Sequence, residues 1–252
     1  LYDLHQMHYY RQSIPGQLSI LFIVAPSPKE WDGQTLYTEG LGGSESSVLY
    51  LARSLARLHH TVFVICNTPG GRIIDIDGVA YRPYVSLGGA LNHKWDAVIA
   101  VRWPAVIGMS MSNDIGTVIF WSHDLMREDD LIRAFGADRD ITKLDPPDAF
   151  VTLSPWHRSI CGITGWEYTE QVTIPNGLDL SLYAGDEERD PNRLIWTPNP
   201  NRGLMATVRA FRQLRKRWPE LELHVYGRSS VYGWGPGDPM HERFYLPHAE
   251  EP

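Results

Sequence analysis

Four polar groups stand at the ends of apolar runs, and their side chains are of the types that hold phosphates and hydroxyls. Arg102 follows Ala97–Val101, Ser122-His123-Asp124 follows Thr117–Trp121, Ser154 follows Ala149–Leu153, and Asn176-Gly177 closes the run Gln171–Ile174 one proline later. A guanidinium neutralises phosphate, an imidazole bonds or exchanges a hydroxyl proton, and Ser and Asn read hydroxyls. Each also has a plain structural use: Ser154 before Pro155 fits an N-cap with proline at N1, and Asn176-Gly177 is a common turn. In an open α/β sheet ligands bind at the carboxyl ends of the strands, so the weight lies in the convergence of these groups on one edge.

A fifth group, Gly42-Gly43-Ser44-Glu45, opens the stretch Gly40–Leu58 between the apolar runs Leu18–Ala25 and Thr61–Cys66, which together read as a β-α-β unit. Glycines there let a backbone approach a ligand, and the N–H groups and dipole of the helix start favour an anion. The same residues also make an ordinary helix start. Ser44 suits an N-cap, Glu45 the first turn, and Val48, Leu51, Ala52, Leu55 and Ala56 form a core stripe. The spacing argues against a nicotinamide-type site, since Pro26–Glu39 intervenes after the strand and Glu45 takes the last glycine position of the dinucleotide-binding fingerprint. The intervening segment, with Pro26, Pro28, Trp31 and Gly33, reads as a binding loop.

The elements that must position these residues alternate along the chain. Further runs at Val79–Tyr84 and at the four sites above imply a parallel, helix-flanked sheet, a Rossmann-like domain over 1–175. An acidic, turn-rich linker over 176–192 leads to a second Rossmann-like start over 193–252. That start comprises a strand Leu194–Thr197, a loop Pro198–Gly203, a helix Leu204–Trp218 and a strand Leu221–Tyr226, with Met205, Val208, Phe211 and Leu214 as the buried stripe. One β-α-β unit cannot bury both faces of a sheet, so this second domain reads as incomplete.

With 252 residues, 43% hydrophobic and 21% charged, the chain has the composition of a globular protein. Its formal net charge of −7 argues against nucleic acid as a partner. Cys66 and Cys161 read as free buried thiols of a reducing compartment. No apolar run approaches the roughly 20 residues of a membrane span, and the polar start Leu1–Gln17 lacks a signal peptide's order. The expected location is cytoplasmic, with peripheral membrane contact left open.

Taken in order, Gly42-Gly43-Ser44-Glu45, Trp121-Ser122-His123-Asp124, Val151–Trp156, Val172–Asp179 and Asn199-Pro200-Asn201-Arg202-Gly203-Leu204 resemble the family-4 glycosyltransferases. The resemblance implies a GT-B fold of two Rossmann-like domains and a retaining transfer of sugar from a nucleotide-sugar donor to a glycan, lipid or small hydroxyl acceptor. It also implies roles. Gly42 and Gly43 would admit the substrates, His123 would hydrogen-bond the transferred sugar in the cleft, and Arg202 would neutralise the diphosphate leaving group. Ser44, Arg102, Ser154, Asn176, Asn199, Gly203 and the Gly227-Arg228 turn would complete the binding surfaces. Front-face attack, with the leaving phosphate taking the acceptor proton, requires neither an enzyme nucleophile nor a metal or other cofactor. Asp75-x-Asp77, beside Gly78, reads as a turn rather than a metal motif.

Two departures qualify the resemblance. Pro198-Asn199-Pro200 stands where the family commonly has a Gly-Arg pair, and the paired glutamates that hold the donor are expected beyond Pro252. A fragment, or a sugar- or nucleotide-binding module without turnover, is therefore the alternative reading, and the chain alone is expected to turn over poorly.

Overall fold

The computed structural model describes residues 16–107, 115–126, 129, 132, 146–161, 166, 169–180, 185 and 188–226. The chain divides into two units, Leu1–Gly177 and Leu178–Pro252.

In the first unit the order is β1 (Ser19–Val24), α1 (Thr35–Thr38), α2 (Gly43–Arg57), β2 (Thr61–Ile65), β3 (Ile74–Ile76), β4 (Val79–Arg82), α3 (Leu87–Leu91), β5 (Trp95–Val101), β6 (Ile115–Trp121), β7 (Ala149–Thr152), α4 (Pro155–Ile160) and β8 (Glu170–Thr173). The strands form one sheet in the order β3-β4-β2-β1-β5-β6-β7-β8. All neighbours are parallel except β3 and β4. The chain winds outward from β1 through β2 to β4, then returns to place β5 on the other side of β1. That reversal makes β1 and β5 the switch point of the sheet, where a crevice opens at the carboxyl ends.

Burial on both faces explains why β1 is an unbroken apolar run. Ile20, Phe22 and Val24 pack with Val48 and Ala52 of α2, whereas Leu21 and Ile23 join Phe63, Trp95 and Phe120 on the opposite face. Each such side chain contributes about 1.5–3 kcal/mol. Helix α2 begins where Gly42 is extended, carries Glu45 in its first turn and Arg57 in its last, and gives way to His59 at a left-handed φ of 68°.

Three expectations need correction. The segment expected as a binding loop after β1 is anchored at its middle while half of it stays exposed: Trp31 is buried with its ring edge-on to Tyr81 at 6.2 Å, and Arg53 donates to Gly33 O and Tyr37 Oη. Strand β3 was not anticipated, because three residues against one neighbour carry almost no periodic signal. Asp77 and Gly78, at φ of 53° and 78°, form the tight turn from β3 to β4, with Asp75 paired to Arg82 and Asp77 to Arg53.

The third correction lies in the second unit, which contains β9 (Arg193–Trp196), α5 (Leu204–Arg215) and β10 (Glu222–Val225). Strands β9 and β10 pair in parallel, Leu194 opposite Leu223. Of the helix's apolar residues Leu204 is buried, but Met205 and Leu214, expected in the buried stripe, are each 39% exposed. A two-stranded sheet covers only part of a helix face.

Candidate functional site

At the carboxyl edge of the large sheet, backbone bonds continue past the last paired residues. Ala25 N donates to Val101 O at 2.9 Å, Arg102 N to Trp121 O at 3.1 Å, Ser122 N to Val151 O at 2.9 Å and Ile174 N to Thr152 O at 2.8 Å. The residues that follow these strands are thus fixed in relation to one another.

Arg102 is the centre of this edge. Its φ of 58° is left-handed, a conformation that costs a residue with a Cβ about 1–3 kcal/mol and that persists where surroundings impose it. Its side chain supplies the surroundings: Nε donates to Asp124 Oδ2 at 2.6 Å, Nη1 to Ser44 Oγ at 3.0 Å, and Nη1 lies 3.8 Å from Glu45 Oε1. Arg102 thereby ties the start of α2 to the ends of β5 and β6.

Ser44, expected at the ligand or as a cap, is buried and its Oγ donates a hydrogen bond to Glu45 Oε2 at 2.8 Å. Gly42 is the N-cap instead, and a Cβ there would strike the Glu45 carboxylate. Gly43 differs. It has no left-handed φ, and a Cβ built on it would meet nothing within 4 Å. Neither conformation nor packing accounts for a glycine at this first helical position, where the backbone N–H has no side-chain cap. Asn176 joins the same helix start, its Oδ1 accepting from Ser47 Oγ at 3.1 Å.

His123 is half-buried beside Trp121, with ring centroids 4.6 Å apart, and its Nε2 finds no hydrogen-bond partner among the described residues. Burial, then the Arg102 charge, lowers its pKa to about 4, against a small opposing effect of Asp124, so the ring is neutral at physiological pH. A neutral imidazole with an unused nitrogen suits a hydroxyl. Ser154, by contrast, is spent on capping: its Oγ accepts from His157 N at 3.0 Å.

In the second unit, Asn199 is buried and its carbonyl accepts from Arg202 N at 2.8 Å. Arg202 is exposed, and Gly203, at φ 101°, turns the chain into α5. Gly227 and Arg228 lie outside the described residues. Among the described residues no three His, Cys, Asp or Glu side chains gather as a metal would require. No helix there is long and apolar enough to cross a membrane.

No protein-family model matches the sequence, nor does any curated protein. In three dimensions the chain is similar to the catalytic domain of starch synthase IV from Arabidopsis thaliana bound to ADP and acarbose, with a TM-score of 0.53 and 11% identity over 86% of this chain and 70% of that one. The fold is GT-B-like. Open α/β sheets bind ligands at the carboxyl ends of their strands, and at those ends Gly42, Gly43, Ser44, Arg102 and Asn176 gather about one helix start, joined through Asp124 to the loop that carries His123. Sequence reasoning missed Glu45, Ser47 and the Asp124 carboxylate as parts of this network, although all three fall inside the motifs that drew attention.

Proposed function

We propose that this chain belongs to a retaining glycosyltransferase that moves a sugar from a nucleotide-sugar donor to a hydroxyl acceptor without a metal. The observation that carries the reading is His123: a neutral, half-buried ring whose Nε2, itself buried, has no hydrogen-bond partner among the described residues, at the carboxyl edge of a GT-B-like sheet. The similarity in fold to a starch synthase domain bound to ADP and acarbose supports the substrate class.

In this mechanism His123 Nε2 bonds a hydroxyl of the transferred sugar, and Gly43 leaves room for substrate at the helix start. The role assigned to Arg202 is to neutralise the diphosphate, whose charge grows as the bond from C1 to the phosphate oxygen breaks. The acceptor oxygen bonds C1 on the same face and passes its proton to the departing phosphate. Expected acceptors are a glycan, a lipid or a small alcohol. Isothermal titration of the full-length protein with uridine, guanosine and adenosine diphosphate sugars, with release of nucleoside diphosphate as second readout, tests the reading. Saturable binding of one donor that weakens in His123→Ala supports it; no binding of any of the three overturns it.

A further inference from the structure

We propose that His157 is a positioning residue for His123, acting through the backbone of residue 124; the inference rests on the reading that His123 meets the transferred sugar. His157 is buried on α4, one element behind the binding edge, and Ser154 seats it there by capping its backbone N–H. Its ring has a defined tautomer. Leu153 N donates to Nδ1 at 3.2 Å, so the proton is on Nε2, which donates to Asp124 O at 2.8 Å.

Asp124 O also accepts from Ser122 Oγ at 2.6 Å, and the Asp124 carboxylate accepts from Arg102. Both neighbours of His123 are therefore fixed, Ser122 by its own bond to β7 and Asp124 by the side chains of Ser122, Arg102 and His157. Among the described residues His123 makes no hydrogen bond through Nε2 that would orient it. Its direction is set by these neighbours and by the Trp121 ring. A carbonyl that loses one of two buried donors shifts toward another, and residue 123 moves with it.

His157→Asn keeps an acceptor near Leu153 N and removes the donor to Asp124; His157→Gln restores a donor near the Nε2 position. The Asn variant should lower kcat about tenfold or more with little change in donor KM, and the Gln variant should recover most of the loss. Ring-nitrogen NMR supplies a readout independent of turnover. His123 should titrate near 4 in the native protein and in the Gln variant, and move toward the ordinary histidine range in the Asn variant. In His123→Ala, adding His157→Asn should cost nothing further. Native turnover with an unmoved His123 titration in the Asn variant, or an additive loss in the double variant, overturns the proposal. Full turnover in His123→Ala alone would instead remove the sugar-contact reading, leaving the His157 link to be decided by the titration. Should His157→Asn fail to fold, His157→Phe keeps the bulk without the donor and takes its place, with the same outcomes.

Discussion

Arg102 and Asp124 hold each other across the ends of β5 and β6, Nε donating to Oδ2 at 2.6 Å. A surface pair of this kind is worth little by itself, typically about 0–1 kcal/mol. Here it also holds a left-handed residue in place. Glycine adopts φ 58° without the Cβ cost, whereas alanine bears that cost and makes none of the bonds. Arg102→Gly should therefore melt about 2–4 °C above Arg102→Ala, a difference of about 1 kcal/mol. Equal melting temperatures would show that the backbone is relaxed at this position.

Gly42 and Gly43 should separate in a binding assay. Gly43→Ala meets no atom of the described residues and replaces glycine by a better helix former, so stability should hold or rise by up to about 1 kcal/mol. Donor or acceptor affinity should nevertheless fall about tenfold or more. Gly42→Ala pushes on the Glu45 carboxylate and should lower stability instead. Undiminished affinity in Gly43→Ala would detach the start of α2 from the substrate.

The buried His123 makes stability depend on pH. Its pKa falls from the ordinary 6.5 to about 4 on folding, so between those values the unfolded chain binds more protons than the folded one. The contribution is whole above about 6.5 and is lost progressively as pH falls toward 4. His123→Asn should flatten the dependence of the urea midpoint over that interval. A slope unchanged from the native protein would assign the effect to other groups.

Arg202 stands exposed immediately before Gly203, whose φ of 101° starts α5. Arg202→Ala should weaken nucleoside diphosphate binding by about 1.5–3 kcal/mol, the range for hydrogen bonds to charged groups, and leave the melting temperature nearly unchanged. Calorimetry with the free diphosphate would detect this; undiminished affinity would move the phosphate elsewhere.

Much of the fold was legible because burial on both faces writes itself as apolar runs: β1 and β2 fall within the runs expected, and most other strand ends shift by one or two residues. The shallower signals failed. Gly116 near the start of β6 hid its first two positions, and the helix expected to reach Trp218 stops at Arg215, with Lys216 still right-handed as its C-cap and turn bonds carrying the chain on to Trp218. At the carboxyl edge of the sheet the residue types drew attention to groups that the structure brings together, but not to the division of labour among them. The cap made by Ser154 is local and was readable from Pro155, whereas the role of Ser44 depends on Arg102, 58 positions away in the chain.

Strand β1 lies at the middle of the sheet, yet one of its two neighbours comes late in the chain. Ser19 bonds the Asp96 carboxylate through both N and Oγ at 2.7 Å, across 77 positions, and Ile20 to Val24 pair with Ala97 to Val101. On the ribosome, β1, α2 and β2 can dock soon after they emerge, while the other side of β1 stays open until β5 is made. For that interval the nascent chain carries a long apolar strand edge, the kind of surface that recruits chaperones or pairs with a second copy. Slowing translation just before Trp95 should prolong this exposure and lower the yield of folded protein, even though every residue of the finished chain is unchanged.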